Sequence, residues 1–236
     1  MKLYLAHFVY GDVVPECFEA VLRELRWTDK KWMGNVEYHR VSEDALISRA
    51  RSRATALFLA SNCDVLFMLD HDVSWATPGA LWRTAAKAHA EGACVAGLYA
   101  QRAFGCGWSS RVTEEGVAWE PGADQLVAAE HLATGFLAIP RGVLNVVLGF
   151  CRTTTDPDLR VRECADQRKG GVLFHDLFRP FSVPSELRPE VYEYLSEDWA
   201  FCRRATAAGF KHWLYMQPVL THHGRYGFAL ADGVAR

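Results

Sequence analysis

The sequence predicts a single-domain α/β protein in which helices flank a largely parallel central sheet. Short apolar runs alternate with segments of helical spacing, as in βαβ units. Residues 65–69 include no polar side chain, which is typical of a strand buried on both faces of a sheet. No stretch of the 236 residues resembles an interdomain linker, and 50% of them are hydrophobic, so we expect one domain over residues 1–236.

In the first half of the chain, strands and helices are predicted to alternate. The predicted strands are residues 2–9, 36–41, 65–69 and 93–99, and the predicted helices are residues 15–25, 46–60 and 78–90. Ser42 is expected to cap the second helix, with Glu43 and Asp44 favourable in its first turn. Gly92 is expected to end the third helix.

The second half of the chain is less regular. A hairpin is predicted from residues 117–119 and 125–129, a strand over 131–139, a helix from 140 to 147, a helix over 196–208 and a strand over 211–220. Residues 151–189 show no sustained periodicity and contain much of the proline. We therefore expect about residues 151–190 to form a mobile loop, since long loops of this kind are usually functional or disordered.

Composition excludes several classes of protein. The formal net charge of −2 argues against a nucleic-acid binder that is basic as a whole. The seven cysteines form no CxxC pair, so zinc bound by paired thiolates is not expected, and their odd, scattered distribution favours reduced thiols in a cytoplasmic protein. No apolar run approaches the roughly 18 residues of a membrane span, and the N-terminus resembles a strand more than a signal peptide.

A basic stretch between Arg152 and Lys169 departs from the balanced charge of the chain. Its cations are Arg152, Arg160, Arg162, Arg168 and Lys169. Two interpretations remain open: a solvated loop, or a mobile segment that contacts an anionic or extended ligand.

Two carboxylates, Asp70 and Asp72, follow the apolar run at residues 65–69. Open α/β sheets bind ligands at the carboxyl ends of their strands, so both side chains are expected in such a crevice. Oxygen ligands on one short turn suit a hard cation such as Mg²⁺ or Mn²⁺, which in turn suits a diphosphate. His71 is expected to point away from the face that the two carboxylates share.

Two further polar groups lie where a regular element meets a loop. Ser196, Glu197 and Asp198 begin a predicted helix, where an N-cap and favourable charges near the helix dipole would explain them without any function. His222 and His223 follow a predicted strand, where a histidine is commonly structural. Catalytic groups also concentrate at such junctions, so both interpretations stay open for each group.

Arg51 shares a predicted helix face with Ile47, Ala54 and Phe58, which are expected to pack inward. An arginine on an apolar face needs an anionic partner, which would be a nucleotide phosphate or an internal acid such as Asp64. Three residues at or just after the end of the fourth predicted strand are candidates to line a ligand pocket: Tyr99, Gln101 and Arg102.

Three motifs resemble, in their order along the chain, those of GT-A glycosyltransferases: the Asp-x-Asp, an acidic Glu-Asp helix start and a late His-x-Gly. They are Leu69-Asp70-His71-Asp72, Leu195-Ser196-Glu197-Asp198-Trp199-Ala200-Phe201-Cys202-Arg203-Arg204 and Leu220-Thr221-His222-His223-Gly224. Three shorter segments fit the same resemblance: Ala50-Arg51-Ser52, Gly97-Leu98-Tyr99-Ala100-Gln101-Arg102 and Thr134-Gly135-Phe136. The resemblance spans roughly residues 3–227 and is to the small bacterial and phage members of that superfamily.

The resemblance implies a GT-A fold and a role for each matching residue. Asp72 would bind a divalent Mn²⁺ or Mg²⁺ directly, and Asp70 would contact the ribose and the metal through water. His222, with His223 as the alternative, would be the late metal ligand. Asp198 would be the general base and Glu197 would position the acceptor, or the two would exchange roles; this assumes an inverting enzyme.

Substrate contacts follow from the same resemblance. The expected donor contacts are Arg51, Asp70, Tyr99, Gln101 and Arg102, and the expected acceptor contacts are Thr134, Gly135 and Trp199. The implied donor is a nucleotide-sugar, most commonly a UDP-sugar. A glycan, a small molecule or a modified base in phage DNA remains open as the acceptor.

Two other functions compete with this interpretation. A nucleotidyltransferase that forms sugar nucleotides usually has a glycine-rich, basic loop after its first strand, whereas residues 9–15 contain one glycine and no basic residue. A non-catalytic carbohydrate-binding or nucleotide-binding module on the same fold would bind ligand without turnover. The intact Asp70, Asp72, Asp198 and His222 favour an enzyme over such a module.

Overall fold

A computed structural model describes residues 1–27, 35–42, 44–103, 105–113, 118–167, 170–185, 188, 190–224 and 227–229. Its helices are α1 (Pro15–Arg26), α2 (Ile47–Ala60), α3 (Ala80–Glu91), α4 (Arg141–Thr153) and α5 (Glu197–Ala207). Several residues of the predicted features lie outside the described residues: Glu43, Val117, Arg168 and Lys169, and residues 186, 187 and 189 of the predicted loop.

The strands in the first half of the described chain are β1 (Leu3–Val9), β2 (Val36–Ser42), β3 (Val65–Asp70), β4 (Val73–Trp75), β5 (Cys94–Gly97) and β6 (Arg111–Val112). Those in the second half are β7 (Leu126–His131), β8 (Phe136–Pro140), β9 (Glu163–Asp166), β10 (Val172–His175), β11 (Phe181–Pro184), β12 (Tyr192–Leu195), β13 (His212–Tyr215), β14 (Leu220–His223) and β15 (Gly227–Ala229).

A central sheet of eight strands has the order β2-β1-β3-β8-β5-β13-β7-β6. All of its strands except β8 and β7 run in the same direction, so the sheet is largely parallel, as predicted. Helices cover both faces. The chain therefore has the predicted α/β fold, a GT-A-type sandwich of helices around a mostly parallel sheet.

The buried strand β3 shows how the apolar pattern produces these layers. Leu66 and Met68 pack in the core beneath α2, α4 and α5, whereas Val65, Phe67 and Leu69 pack in the core beneath α1 and α3. Successive side chains of a strand point to opposite faces, so a strand covered on both sides has no place for a polar residue. All five side chains are fully buried.

The parallel strands β1, β2 and β3 end at the same edge of the sheet. Phe8 of β1 is in register with Asp70 of β3, and Val9 of β1 is in register with Ser42 of β2. A separate three-stranded sheet, β15-β14-β4, adjoins this edge and pairs His222 with Val73. The pairing brings residues from the end of the chain to the turn that follows β3.

Several predicted boundaries are wrong. Ser42 does not cap α2, because it ends β2, and the helix begins at Ile47 with Leu46 in the N-cap position. Strand β7 was predicted to form a hairpin with residues 117–119, but it pairs with β6 instead. His131 ends β7 instead of beginning β8, and the predicted last strand is divided into β13 and β14.

The segment predicted to lack regular structure, residues 151–189, contains the end of α4, the β-hairpin β9–β10 and strand β11, which pairs with β12 just beyond the segment. The prediction was wrong because strands of four residues are too short for periodicity to reveal. Fully buried Arg204 of α5 donates hydrogen bonds to four backbone carbonyl groups of this segment, those of Asp158, Leu159, Leu177 and Arg179. The mobility expected of the segment stays a prediction.

None of the helices that the structure describes is both long enough and apolar enough to cross a membrane.

Candidate active site

A cavity of about 350 Å³ opens at the edge where β1, β2 and β3 end. It lies at the carboxyl ends of parallel strands, the usual place for a ligand in an α/β fold. The lining residues include Phe8, Val9, Tyr10, Val41, Asp44, Asp70, His71, Asp72 and Arg102. The cavity therefore contains both carboxylates of the Asp-x-Asp motif.

Asp70 is held by Arg51, whose side chain is only 4% exposed. Nη2 of Arg51 lies 3.1 Å from each carboxylate oxygen of Asp70, and its Nε lies 3.7 Å from the carboxylate of Glu197. The expected anionic partner is therefore Asp70 and not Asp64, which accepts a hydrogen bond from the backbone N–H of Lys2. Nε and Nη1 of Arg51 are buried and make no hydrogen bond within the described chain.

Asp72 faces two nitrogen-containing side chains through one oxygen, Oδ2. Nη1 of Arg102 lies 2.9 Å from it and Nε2 of His222 lies 3.6 Å from it. Burial acts to raise the pKa of Asp72, but the hydrogen bond and charge of His222, together with Arg102, outweigh burial and hold that pKa below its usual range. Asp72 is therefore an anion in the folded protein at neutral pH.

The orientation of His222 suits a metal ligand. Its Nδ1 lies 3.0 Å from the carbonyl oxygen of Ala100, which can only accept, so Nδ1 carries a proton and donates it. Nε2 is therefore the nitrogen that faces Asp72: in the charged ring it donates to that carboxylate, and in the neutral ring its lone pair is available to a cation bound between the two side chains. Histidine ligands in metalloproteins are commonly oriented in this way. The backbone N–H of His223 donates to the carbonyl oxygen of Asp72 at 2.7 Å. This bond fixes the distance between β14 and the turn that follows β3.

The predicted metal ligands are brought together only in part. Asp72 and His222 converge, whereas Asp70 is held by Arg51, and no group of three or more His, Cys, Asp or Glu side chains in the described residues could hold a metal ion. A carboxylate with an imidazole fits a divalent cation that takes its other ligands from phosphate and water oxygens, as Mg²⁺ sites often do. His223, the alternative ligand, is instead bonded to Ser74 at 2.7 Å.

Glu197 and Asp198 begin α5 on the other side of Arg51. Ser196 occupies the N-cap position, but its side chain does not cap the backbone; the hydroxyl donates instead to Oδ1 of Asp198. The backbone N–H of Trp199 donates to the same oxygen at 2.9 Å. Burial, supplemented by the charge of Asp198, raises the pKa of Glu197, although Arg51 opposes the shift.

Tyr99 and Gly135 support the site from behind. Tyr99 is buried, packs edge-on against His222 at 5.1 Å, and accepts a hydrogen bond from the N–H of Gly135 at 3.1 Å. A Cβ on residue 135 would lie 2.5 Å from the Tyr99 hydroxyl and 3.0 Å from Oδ2 of Asp70, so only glycine fits. Neighbouring Thr134 is buried. These three residues pack around the site and do not line its cavity.

Two other predicted contacts lie outside the cavity. Gln101 is exposed, and its side-chain amide donates to the backbone carbonyl of Trp108 at 3.2 Å. Trp199 stacks on His131 with ring centroids 4.2 Å apart. Burial lowers the pKa of His131, so the ring stacked on Trp199 is neutral at neutral pH.

Sequence reasoning missed the wall of the cavity formed by β1, β2 and the start of α2. Asp44, which was expected only to favour a helix start, lines the cavity and is bonded to Arg49, with a shortest distance of 2.6 Å. Tyr10 lines the cavity and is 68% exposed. His71 also lines it, because β3 ends at Asp70 and strand alternation does not continue to the next residue. Ligands bind at the carboxyl ends of the strands in an α/β sheet, and this rule, which identified the end of β3, applies equally to the ends of β1 and β2.

Comparison with known proteins identifies the fold. No protein-family model matches the chain, and no curated protein matches it. Among solved structures, the A197 protein from STIV is 16% identical with a TM-score of 0.57, and the match covers 100% of this chain and 97% of that one. GalNAc-T7, solved with UDP, GalNAc and Mn²⁺, is 12% identical with a TM-score of 0.53 over 99% of this chain and 45% of that one.

A third structure, the UTP-bound UGPase from Acinetobacter baumannii, is 11% identical over 94% of this chain and 88% of that one, with a TM-score of 0.49, too low to support a conclusion. The first two similarities establish a GT-A-type fold. At such low identity they establish the fold alone, so any function has to be inferred from the residues of the site.

Proposed function

We propose that this protein is a glycosyltransferase that moves a sugar from a nucleotide-sugar donor, preferentially a UDP-sugar, to an acceptor hydroxyl with the help of a divalent cation. The observation that carries the proposal is the convergence of His222 and Arg102 on Asp72, which lines a cavity together with Asp70. A nucleoside diphosphate bound there would meet a cation site and an arginine together. The structure of GalNAc-T7 with UDP, GalNAc and Mn²⁺ supports this assignment by similarity of fold.

The donor would lie along the cavity, with its diphosphate at the Asp72 end. When bound, a divalent cation would neutralise phosphate charge and stabilise the departing nucleoside diphosphate. Asp72 and His222 would hold that cation. Arg51, buried and with two nitrogen atoms, Nε and Nη1, that make no hydrogen bond in the described chain, would keep Asp70 oriented toward the ribose.

The acceptor would approach from the start of α5. Asp198 would remove the proton from the acceptor hydroxyl through Oδ2, because its two hydrogen bonds with described residues are both accepted by Oδ1. These bonds fix the carboxylate without neutralising it. Glu197, whose pKa is raised by burial, would hold the acceptor by a hydrogen bond, and Trp199 would form a wall beside it.

Calorimetric titration with UDP and GDP, each with and without Mn²⁺, tests the proposal. We expect UDP to bind tightly only when Mn²⁺ is present, because the cation neutralises the repulsion between Asp72 and the diphosphate. Asp72→Ala should abolish the metal-dependent part of binding. Glu91→Ala is the matched control, since Glu91 is an exposed carboxylate at the end of α3. Equal binding of UDP and Mn²⁺ by Asp72→Ala and the parent would contradict the site assignment.

A further inference from the structure

The two carboxylates of the Asp-x-Asp motif have arginine partners of opposite character. Arg51, the partner of Asp70, is 4% exposed and emerges from the buried face of α2. Arg102, the partner of Asp72, is 55% exposed and emerges from the loop after β5. The first arginine is fixed by the core around it, whereas the half-exposed guanidinium of the second can leave its carboxylate without opening the core.

Arg102 occupies the place where a cation would bind. Its Nη1 and Nε2 of His222 approach the same atom, Oδ2 of Asp72, at 2.9 Å and 3.6 Å. A metal ion held by Asp72 and His222 would need the region around that oxygen. The guanidinium therefore satisfies the charge of a carboxylate that would be costly to leave unpaired in a buried site.

Gly224, next to the two histidines, leaves space for this arrangement. A Cβ at residue 224 would lie 3.3 Å from Cδ of Arg102, closer than nearly all contacts that real Cβ atoms make. The glycine of the late His-x-Gly motif thus lets the stem of Arg102 pass over the end of β14. The path explains how a residue of the β5 loop reaches Asp72.

We propose that Arg102 is an exchangeable counter-ion, a regulatory feature of the site that rests on the proposed function. Without nucleotide, the guanidinium holds Asp72. When the divalent cation and the nucleoside diphosphate bind together, the cation replaces the guanidinium at Oδ2, and the released guanidinium donates hydrogen bonds to phosphate oxygens. No covalent bond changes in this exchange. The metal alone displaces Arg102 from Asp72 without offering it a phosphate, and the nucleotide alone leaves its phosphates without the cation and without Arg102. Metal and nucleotide therefore assist each other in binding.

The exchange predicts opposite effects of removing Arg102 on the two ligands. In Arg102→Met, Mn²⁺ no longer competes with a guanidinium, so its affinity without nucleotide should rise by about three- to tenfold, as expected for loss of a partly exposed ion pair. UDP in the presence of Mn²⁺ should bind more weakly by a similar factor. By reciprocity, the factor by which UDP tightens Mn²⁺ binding should shrink toward one.

The test is titration of Mn²⁺ by electron paramagnetic resonance, which detects the free ion, with and without UDP. The parent, Arg102→Met and a matched control, Arg152→Met, are compared; Arg152 is an exposed arginine in the last turn of α4. Thermal unfolding of each variant verifies that it is folded.

Tighter Mn²⁺ binding together with weaker UDP binding in Arg102→Met supports the exchange. Mn²⁺ affinity that is unchanged or lower in Arg102→Met overturns the exchange. So does a failure of both the parent and Arg102→Met to bind Mn²⁺. The proposed function is tested separately by the parent: failure of the parent to bind UDP with Mn²⁺ contradicts the function, whatever the Mn²⁺ affinities without nucleotide. A third result is also informative: the parent binds UDP equally well with and without Mn²⁺, and Arg102→Met loses that binding. This result overturns the exchange but leaves donor binding intact.

Discussion

On the donor side of the site, Asp44, Asp70 and Asp72 each contact an arginine, whereas on the acceptor side both hydrogen bonds to Asp198 come from neutral donors. An arginine partner suits a carboxylate that serves to carry negative charge. The hydrogen bonds from a hydroxyl and a backbone N–H both reach Oδ1 of Asp198 and leave its Oδ2 for a further hydrogen bond. The difference fits the proposed roles, which are charge recognition on the donor side and proton transfer at the start of α5.

The largest expected effect comes from Asp198→Asn. A general base contributes about 10²- to 10⁴-fold to a reaction, so transfer should fall by that factor. UDP affinity in the presence of Mn²⁺ should stay within a factor of about two, a change of under half a kcal/mol. Turnover is followed by release of UDP from the donor, and donor binding by calorimetry. Unchanged turnover would remove Asp198 as the base and erase the distinction between the two sides.

Arg51→Met should produce the next largest effect, on stability. The variant leaves Asp70 and Glu197 without their shared cation, and we expect a loss of about 2–4 kcal/mol in the free energy of unfolding, below the full cost of breaking a buried pair because Asp70 is one-quarter exposed. Urea unfolding measures the loss, with Arg152→Met as the exposed control. A change below about 1 kcal/mol would place this pair among ordinary surface ion pairs.

A pair of glycine variants tests the packing behind the donor side. Gly135→Ala introduces a methyl group against Tyr99 and Asp70 and should destabilise the protein by about 1–3 kcal/mol. Gly142→Ala, in α4 with open space around its Cβ, should stabilise it by roughly 0.5–1 kcal/mol, because alanine favours a helix. Thermal unfolding of both variants is the measurement. Equal effects would show that close approach at residue 135 is unimportant.

The smallest expected effects concern pH. Burial acts to raise the pKa of Asp44, but its bonds with Arg49 hold that pKa below the ordinary 3.8, so its contribution to stability is present at neutral pH and is lost as the pH falls below about 4. Burial raises the pKa of Glu197 above the ordinary 4.5, so its ionised form opposes folding at pH 7 and that penalty disappears as the pH falls through the raised pKa.

At pH 7, Asp44→Asn should therefore lower the free energy of unfolding and Glu197→Gln should raise it. Urea unfolding at pH 7 and at pH 3 measures both variants. Both differences from the parent should shrink at pH 3, because the unfolded chain then protonates Asp44 and the folded protein protonates Glu197. Changes of the same sign at pH 7 would contradict the contrast between the two sides.

The buried strands were predictable from the sequence because covered strands exclude polar residues. The rule located β3 and, with it, the position of Asp70 and Asp72 at a ligand-binding edge. The hairpins β9–β10 and β11–β12 were not predictable, because each strand has four residues and its pairing is stabilised by distant contacts such as those of Arg204. Local pattern carries no information about such contacts.

The site was predictable in its residue types more than in its pairings. The expectation that Arg51 needs an anion was sound, but its partners, Asp70 and Glu197, lie 19 and 146 positions away, and only the folded sheet brings them together. The same holds for Arg102 and Asp72. Sequence spacing also could not reveal that the hydroxyl of Ser196 bonds to Asp198 instead of capping α5.

The proposed glycosyltransferase would cleave the bond between the sugar and the diphosphate of a nucleotide-sugar. Phosphorus NMR of the protein with UDP-sugars and Mn²⁺, with and without pyrophosphate, detects that cleavage. We predict slow release of UDP that does not depend on pyrophosphate and is lost in Asp72→Ala. Formation of UTP and a sugar phosphate only when pyrophosphate is present would identify a nucleotidyltransferase, and binding without any reaction would identify a non-catalytic module; either result would contradict the claim.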